Sequence, residues 1–198
     1  MSVEFDVERL IQRLGGRRVA VICTPAGYIR GAGVLGDILT EEGYTVETPT
    51  SVQTLDLAAV DPEDHPALHS SSRLTETWLA DFARMDQTAP HKIAPMRQVM
   101  NLIQPQTCYM TLQQNGTTVA AGLGVCDEQY VGLYQIVTDE RYRRRGLGMT
   151  VVLGLLGWGK TNGATVAHLS VVPANRPAHT LYQKIGFREV YQYRYYAR

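Results

Sequence analysis

The chain has 198 residues, 44% of them hydrophobic, with 19 Lys+Arg balanced by 19 Asp+Glu. That length allows one buried core with a smaller appendage and leaves two full domains cramped. Apolar runs broken well short of a membrane span, and an acidic start MSVEFDVERL without a secretory pattern, predict a soluble cytoplasmic protein.

In chain order, RRVAVICT (17–24) alternates like a strand and stops at Pro25, GAGVLGDILTEEG (31–43) has helical spacing, and YTVETPT (44–50) reads as a second strand. Residues 55–75, with Asp-Pro, His-Pro and Ser70 to Ser72, have loop composition, and a domain boundary is placed near residue 72. ETWLADFARM (76–85), with Thr75 as N-cap, and PMRQVMNLI (95–103), with Pro95 in its first turn, predict amphipathic helices. TCYMTLQ (107–113) and TTVAAGLGVC (117–126) form a hairpin across Asn115-Gly116, a pair suited to a turn of positive φ. A second turn at Asp127-Glu128 leads into QYVGLYQIVT (129–138).

An apolar helix over 149–162, a buried strand ATVAHLSVV (164–172), a short helix near 178–184 and the aromatic strand VYQYRYY (190–196) complete the chain. The layout is α+β with a mixed, mainly antiparallel sheet flanked by helices. VYQYRYY either packs within that sheet or offers an edge for a homodimer. The three cysteines, Cys23, Cys108 and Cys126, lie in apolar strand-like runs without Cys-x-x-Cys spacing, which favours buried thiols. His65 and His69 have zinc-pair spacing, but Pro66 follows the first and no Glu completes the motif, so no metal is expected.

The balanced charge hides an asymmetry. Residues 1–100 hold 9 Lys+Arg against 14 Asp+Glu, and residues 101–198 hold 10 against 5. The basic excess concentrates at Arg141 to Arg145, in a run RYRRRGLG that enters an apolar helix. Unpaired amides and the dipole at a helix N-terminus favour an anion, Gly146 and Gly148 permit close approach, and Arg143, Arg144 and Arg145 add charged donors. So compact a cluster suits a polyphosphate ligand better than nucleic acid, whose footprint spreads over a face.

Two segments together, RYRRRGLG (141–148) and NRPAHTLYQKIGF (175–187), resemble the GNAT-type N-acetyltransferase family over about residues 75–198. The second carries Asn-x-x-Ala-x-x-Leu-Tyr-x-Lys-x-Gly-Phe and is the more specific. The resemblance implies acetyl-CoA as co-substrate and direct acetyl transfer to a primary amine of a small molecule or peptide. It assigns the pyrophosphate to Arg143, Arg144, Arg145, Gly146, Leu147, Gly148 and Met149, the pantetheine arm to Ile136, Val137 and Thr138, and a cofactor contact to Asn175. It makes Tyr182 the general acid that protonates the departing thiolate, a task suited to a phenol that stays protonated near neutrality. Read without the motif, Tyr182 packs its helix and Asn175 caps a turn.

The chain departs from the family pattern in lacking a proline near Glu140, and in having no Asp or Glu within QYVGLYQIV to deprotonate the amine. Asp127, Glu128, Asp139 and Glu140 lie at strand ends, where solvated turn residues are ordinary; Tyr134 and Gln135 are placed to orient a water. His168 and His179 read as packing or surface residues. The missing base motivates an alternative, a non-catalytic acyl-CoA sensor or interaction module. DILTEEGYTVETPTSV (37–52) echoes the rhythm of LYQKIGFREVYQYRY (181–195), so residues 1–72 read either as a shortened tandem relic of the 73–198 domain or as an ordinary α/β segment. On either reading they complete the sheet or wall the acceptor pocket.

Overall fold

The computed structural model describes residues 19–23, 32–47, 49–61 and 65–197. Expectations for Arg17, Arg18, Thr24, Pro25 and the Cys23 side chain lie outside the described residues. The chain divides into two compact units. One comprises residues up to Val52 with Val171–Arg176 and Glu189–Arg198, and the larger comprises Gln53–Ser170 with Pro177–Arg188.

The larger unit is a layered α+β structure. Strand β3 (Thr50–Asp56) enters it, followed by β4 (Leu68–Ser71), helices α2 (Glu76–Asp86) and α3 (Pro90–Asn101), and the strands β5 (Gln106–Gln114), β6 (Thr117–Asp127) and β7 (Tyr130–Thr138). Helix α4 (Leu147–Thr161), β8 (Val166–Val171) and α5 (Arg176–Ile185) complete it. The strand order is β3-β8-β7-β6-β5-β4. Strands β4 to β7 pair antiparallel, and β7 and β8 pair parallel. The β5–β6 hairpin turns at Asn115 and Gly116, with φ of 50° and 76°, the left-handed pair the sequence predicts.

Helices cover both faces. Alternation in β5 and β6 turns Tyr109, Ala121 and Leu123 toward Trp78, Leu79 and Phe82 of α2. Trp78 stacks on Phe82 at 5.3 Å, meets Tyr109 edge-on at 5.1 Å, and donates its indole N–H to Met110 O at 3.1 Å. Each such fully buried side chain stabilises the fold by about 2–3 kcal/mol. Thr75 caps α2 by accepting from Trp78 N at 3.1 Å, as its sequence position predicts. On the opposite face, Gly122 and Gly124 of β6 leave room for Val151, Leu155 and Trp158 of α4.

Three boundaries differ from the sequence expectation. Leu68–Ser71, of loop composition, is a strand because it pairs with Leu112–Tyr109 at the edge of the sheet, where a polar strand needs no buried face. Helix α3 begins at Pro90, so Pro95 lies inside it. The expected 44–50 strand is a two-residue β2 (Thr45–Val46) and a separate β3 starting at Thr50.

The smaller unit centres on the aromatic strand β9 (Arg188–Ala197). Strand β1 (Val19–Cys23) pairs with it antiparallel from Val19↔Tyr196 to Cys23↔Gln192, and β2 pairs at Thr45↔Ala197. Helix α1 (Ala32–Glu41) belongs to the same unit, and Tyr193 and Tyr195 meet edge-on at 5.3 Å.

Candidate active site

The site is organised by a break in β7. Ala121 of β6 pairs with Val137 and Leu123 with Tyr134, so Gln135 and Ile136 oppose Gly122 alone, a β-bulge. Gln135 carries it with a φ of 52°. The parallel register with β8 runs from Tyr130↔Val166 to Leu133↔Leu169 and stops there. Beyond Leu133 the two strands part, and from Tyr134 to Thr138 the edge of β7 away from β6 has no strand partner among the described residues. Ile136, Val137 and Thr138, expected to line the pantetheine arm, form this half-buried edge.

The turn after β7 is anchored by a buried carboxylate. Asp139 is 4% exposed and accepts from Arg141 N and Nε at 3.1 and 3.0 Å, from an Arg141 terminal nitrogen at 2.8 Å and from Arg84 at 2.8 Å. Arg84 also donates to Thr118 O at 2.8 Å, and Asp139 N donates to Val119 O at 2.9 Å. The Arg141 guanidinium first, then the Arg141 amide and Arg84, hold the Asp139 carboxyl well below the usual carboxylate range against the opposing effect of burial. Asp139 is therefore a fixed anion that orders the turn. Glu140 accepts from Gln87 at 3.3 Å.

With Arg141 committed to Asp139, Arg143, Arg144 and Arg145 are the exposed cations of the run. Arg143 Nε donates to Thr138 O at 3.3 Å, and the Arg145 guanidinium lies 5.3 Å over the Tyr142 ring. Gly146 is the N-cap of α4 with φ 82°, a left-handed conformation that glycine adopts without steric cost, and nothing lies within 4 Å of where its Cβ would be. Met149 N and Thr150 N close the first turn on Gly146 O at 2.9 and 3.1 Å. The amides ahead of them, including Leu147 and Gly148, have no intrahelical acceptor. A Cβ on Gly148 would meet Thr138 Oγ1 at 3.1 Å and Leu181 Cδ1 at 3.4 Å, so the turn, the end of β7 and helix α5 converge at this glycine.

Tyr182 follows Leu181 on α5. It is 7% exposed, packs edge-on against Phe187 at 5.7 Å, and its hydroxyl makes no hydrogen bond among the described residues. Burial pushes its pKa up to about 12. Three residues earlier, His179 Nδ1 lies 3.2 Å from Gln53 Nε2. Asn175, in the smaller unit, closes the turn before α5 by donating its amide to Val172 O at 2.8 Å.

A family model described as "Probable histone acetyltransferase Rv0428c C-terminal" matches residues 35–196. The chain belongs to this family. It carries a GNAT-type N-acetyltransferase domain. It is 27% identical over 121 residues to the uncharacterized N-acetyltransferase YobR of Bacillus subtilis (strain 168), covering 61% of this chain and 49% of that protein, so it spans about half the length of this curated relative. A tandem GNAT protein from the clavulanic acid biosynthesis pathway is similar in fold at a TM-score of 0.69 and 12% identity, with 96% of this chain and 66% of that one covered. AAC(6')-Iy in complex with a CoA bisubstrate analogue is similar at a TM-score of 0.51 and 15% identity, covering 64% and 93%.

The carboxylates at the strand ends do not supply a buried base, since Asp127, Glu128 and Glu140 are exposed and Asp139 is held ionised by arginines. His69 lies on strand β4 rather than a helix, and no metal-binding cluster occurs among the described residues. No described helix is long and apolar enough to cross a membrane. Cys108 and Cys126 are free, buried thiols, and burial raises Cys108 to about 12. A cavity of about 180 Å³ lies between α2, β4, β5 and the start of β6, lined by Thr75, Asp81, Thr111 and Thr118 among others.

Sequence reasoning missed the ordering roles of Asp139 and Arg84, and the pairing of Tyr134 with His168. The two rings meet edge-on at 6.2 Å, and a Cβ on Gly132 would lie 2.6 Å from Tyr134 Oη and 2.9 Å from His168 Nε2. The Gly132↔His168 register that creates this face involves residues far apart in sequence.

Proposed function

We propose that the protein transfers the acetyl group of acetyl-CoA directly to a primary amine. The observation that carries this reading is the bulge at Gln135, which opens the edge of β7 beside the Gly146-capped start of α4. In this reading the pyrophosphate lies on the amides of Arg143 to Met149 with Arg143, Arg144 and Arg145 around it, and the pantetheine arm pairs with Ile136, Val137 and Thr138. Tyr182 protonates the departing thiolate, and its raised pKa keeps it a proton donor through the physiological range.

A primary amine of a small molecule or peptide is consistent with the family description, which names histone acetyltransferase, and with the CoA-S-monomethyl-acetylneamine bisubstrate analogue bound to AAC(6')-Iy. The test is calorimetry with acetyl-CoA paired with a thiol-release assay over an amine panel. The wild type binds in the micromolar range typical of such sites. Tyr182→Phe loses about 100-fold in turnover with little change in affinity. Unchanged turnover removes Tyr182 from the mechanism, and no binding by the wild type refutes the donor assignment.

A further inference from the structure

The acceptor ammonium must lose a proton before it attacks, and β7 carries no carboxylate to take it. An arm that starts at the pyrophosphate beyond Thr138 and runs back along Val137 and Ile136 ends beside Gln135 and Tyr134. The last rungs of the β7–β8 ladder before the strands part are Gly132↔His168 and Leu133↔Leu169. Tyr134 and His168 therefore flank the place where the thioester ends. Both polar atoms lie within 2.9 Å of one point above Gly132, where the edge of the Tyr134 ring takes the place a side chain on this residue would fill. Neither side chain hydrogen-bonds to any described residue. Tyr134 is 44% exposed and His168 is half-buried, so the pair is reachable from outside while its inner part is desolvated.

We propose, on the donor reading above, that His168 is the general base for the acceptor amine and that the Tyr134 hydroxyl relays the proton to its Nε2. The ammonium gives a proton to Tyr134 Oη as Tyr134 passes its own, through a bridging water, to His168 Nε2. The nitrogen lone pair bonds to the acetyl carbonyl carbon, the carbon–sulfur bond breaks, and sulfur keeps the electron pair and takes the Tyr182 proton. A second proton, lost from nitrogen as the amide forms, restores Tyr182, and His168 returns its proton to water.

The electrostatics agree with these roles. Burial lowers the His168 pKa, with no charged neighbour contributing, so the imidazole is neutral and able to accept at pH 7. Tyr134, facing it across Gly132, is raised by burial and stays a neutral hydroxyl. Ser170, two residues along β8, does not titrate.

Acetyl transfer is measured from acetyl-CoA to butylamine, which is protonated at neutral pH, and to hydroxylamine, which is largely unprotonated there. His168→Gln should lose about 100-fold with butylamine and less than threefold with hydroxylamine, with acetyl-CoA affinity unchanged by calorimetry. Tyr134→Phe should lose about 10-fold with butylamine, since water can substitute as relay. The butylamine rate of the wild type should rise through an inflection below the ordinary histidine pKa, and His168→Gln should abolish that inflection. Equal losses with both amines, or an unchanged inflection, overturn the proposal. Nitrogen NMR of the imidazole gives a reading independent of any acceptor: the proton should reside on Nδ1, with a midpoint that moves in Tyr134→Phe. A proton on Nε2, or an unmoved midpoint, overturns it. Absence of acetyl-CoA binding by the wild type would instead strike the donor reading.

Discussion

The turn from Thr138 to Gly148, which follows β7, and the face bearing Tyr134 of β7 and His168 of β8 are held differently. The turn is fastened by hydrogen bonds and ion pairs: Asp139 gathers Arg141 two residues on and Arg84 from α2, Arg143 reaches back to Thr138, and Gly146 caps α4. The Tyr134–His168 face has no such fastening. It exists because a parallel register sets Gly132 opposite His168 and because a glycine leaves room there. A locally fastened turn suits a donor common to a whole family. A face set by register and side-chain volume can change with the acceptor while the turn stays as it is.

The largest expected effect comes from filling the turn. Gly148→Leu drives a side chain into Thr138 and Leu181 and should reduce acetyl-CoA affinity more than 100-fold by calorimetry, while circular dichroism reports a retained fold. Affinity within threefold of wild type would show that the donor does not use this turn. Gly132→Ala attacks the other region. Its Cβ would stand 2.6 Å from Tyr134 and 2.9 Å from His168, so both rings must move, and turnover with butylamine should fall about 10-fold with acetyl-CoA affinity unchanged. Parallel losses in affinity and turnover would join the two regions that the geometry separates.

The smallest effect on chemistry is expected from Asp139→Asn, which loosens the fastening without touching the donor. Removing a charged acceptor of several hydrogen bonds should cost about 2 kcal/mol of stability at pH 7 in urea denaturation. Because the folded-state pKa of Asp139 is depressed, its contribution is complete above the unfolded carboxyl pKa of about 3.9 and is lost as pH falls below it. The gap between wild type and variant should therefore narrow below about pH 4. A gap independent of pH would mean that the carboxylate charge is not what holds the turn.

The same contrast explains what could be read from the sequence. The hairpin at Asn115-Gly116, the arginine-glycine turn and the α5 motif announce themselves because each is a short run of residues with special backbone or charge properties. The bulge at Gln135 does not: Leu-Tyr-Gln-Ile-Val contains no glycine or proline, and the positive φ is imposed by the pairing of β6 with β7. Asp139 reads as a solvated turn residue until Arg84, distant in the chain, is seen to close over it. Leu68–Ser71 is polar enough for a loop and becomes a strand through its partner. His168 alternates within a strand like any other residue. Its chemistry depends on what lies opposite, which the spacing of residues along one strand does not encode.

A crystal structure of the protein with CoA would show whether acetyl-CoA enters the cleft where β7 parts from β8. The pyrophosphate should lie on the amides between Arg143 and Met149, the pantetheine arm along Ile136 to Thr138, and the sulfur within hydrogen-bonding reach of the Tyr182 hydroxyl. A CoA molecule whose pyrophosphate lies away from Gly146 and Gly148, or whose sulfur points away from Tyr182, would contradict this placement.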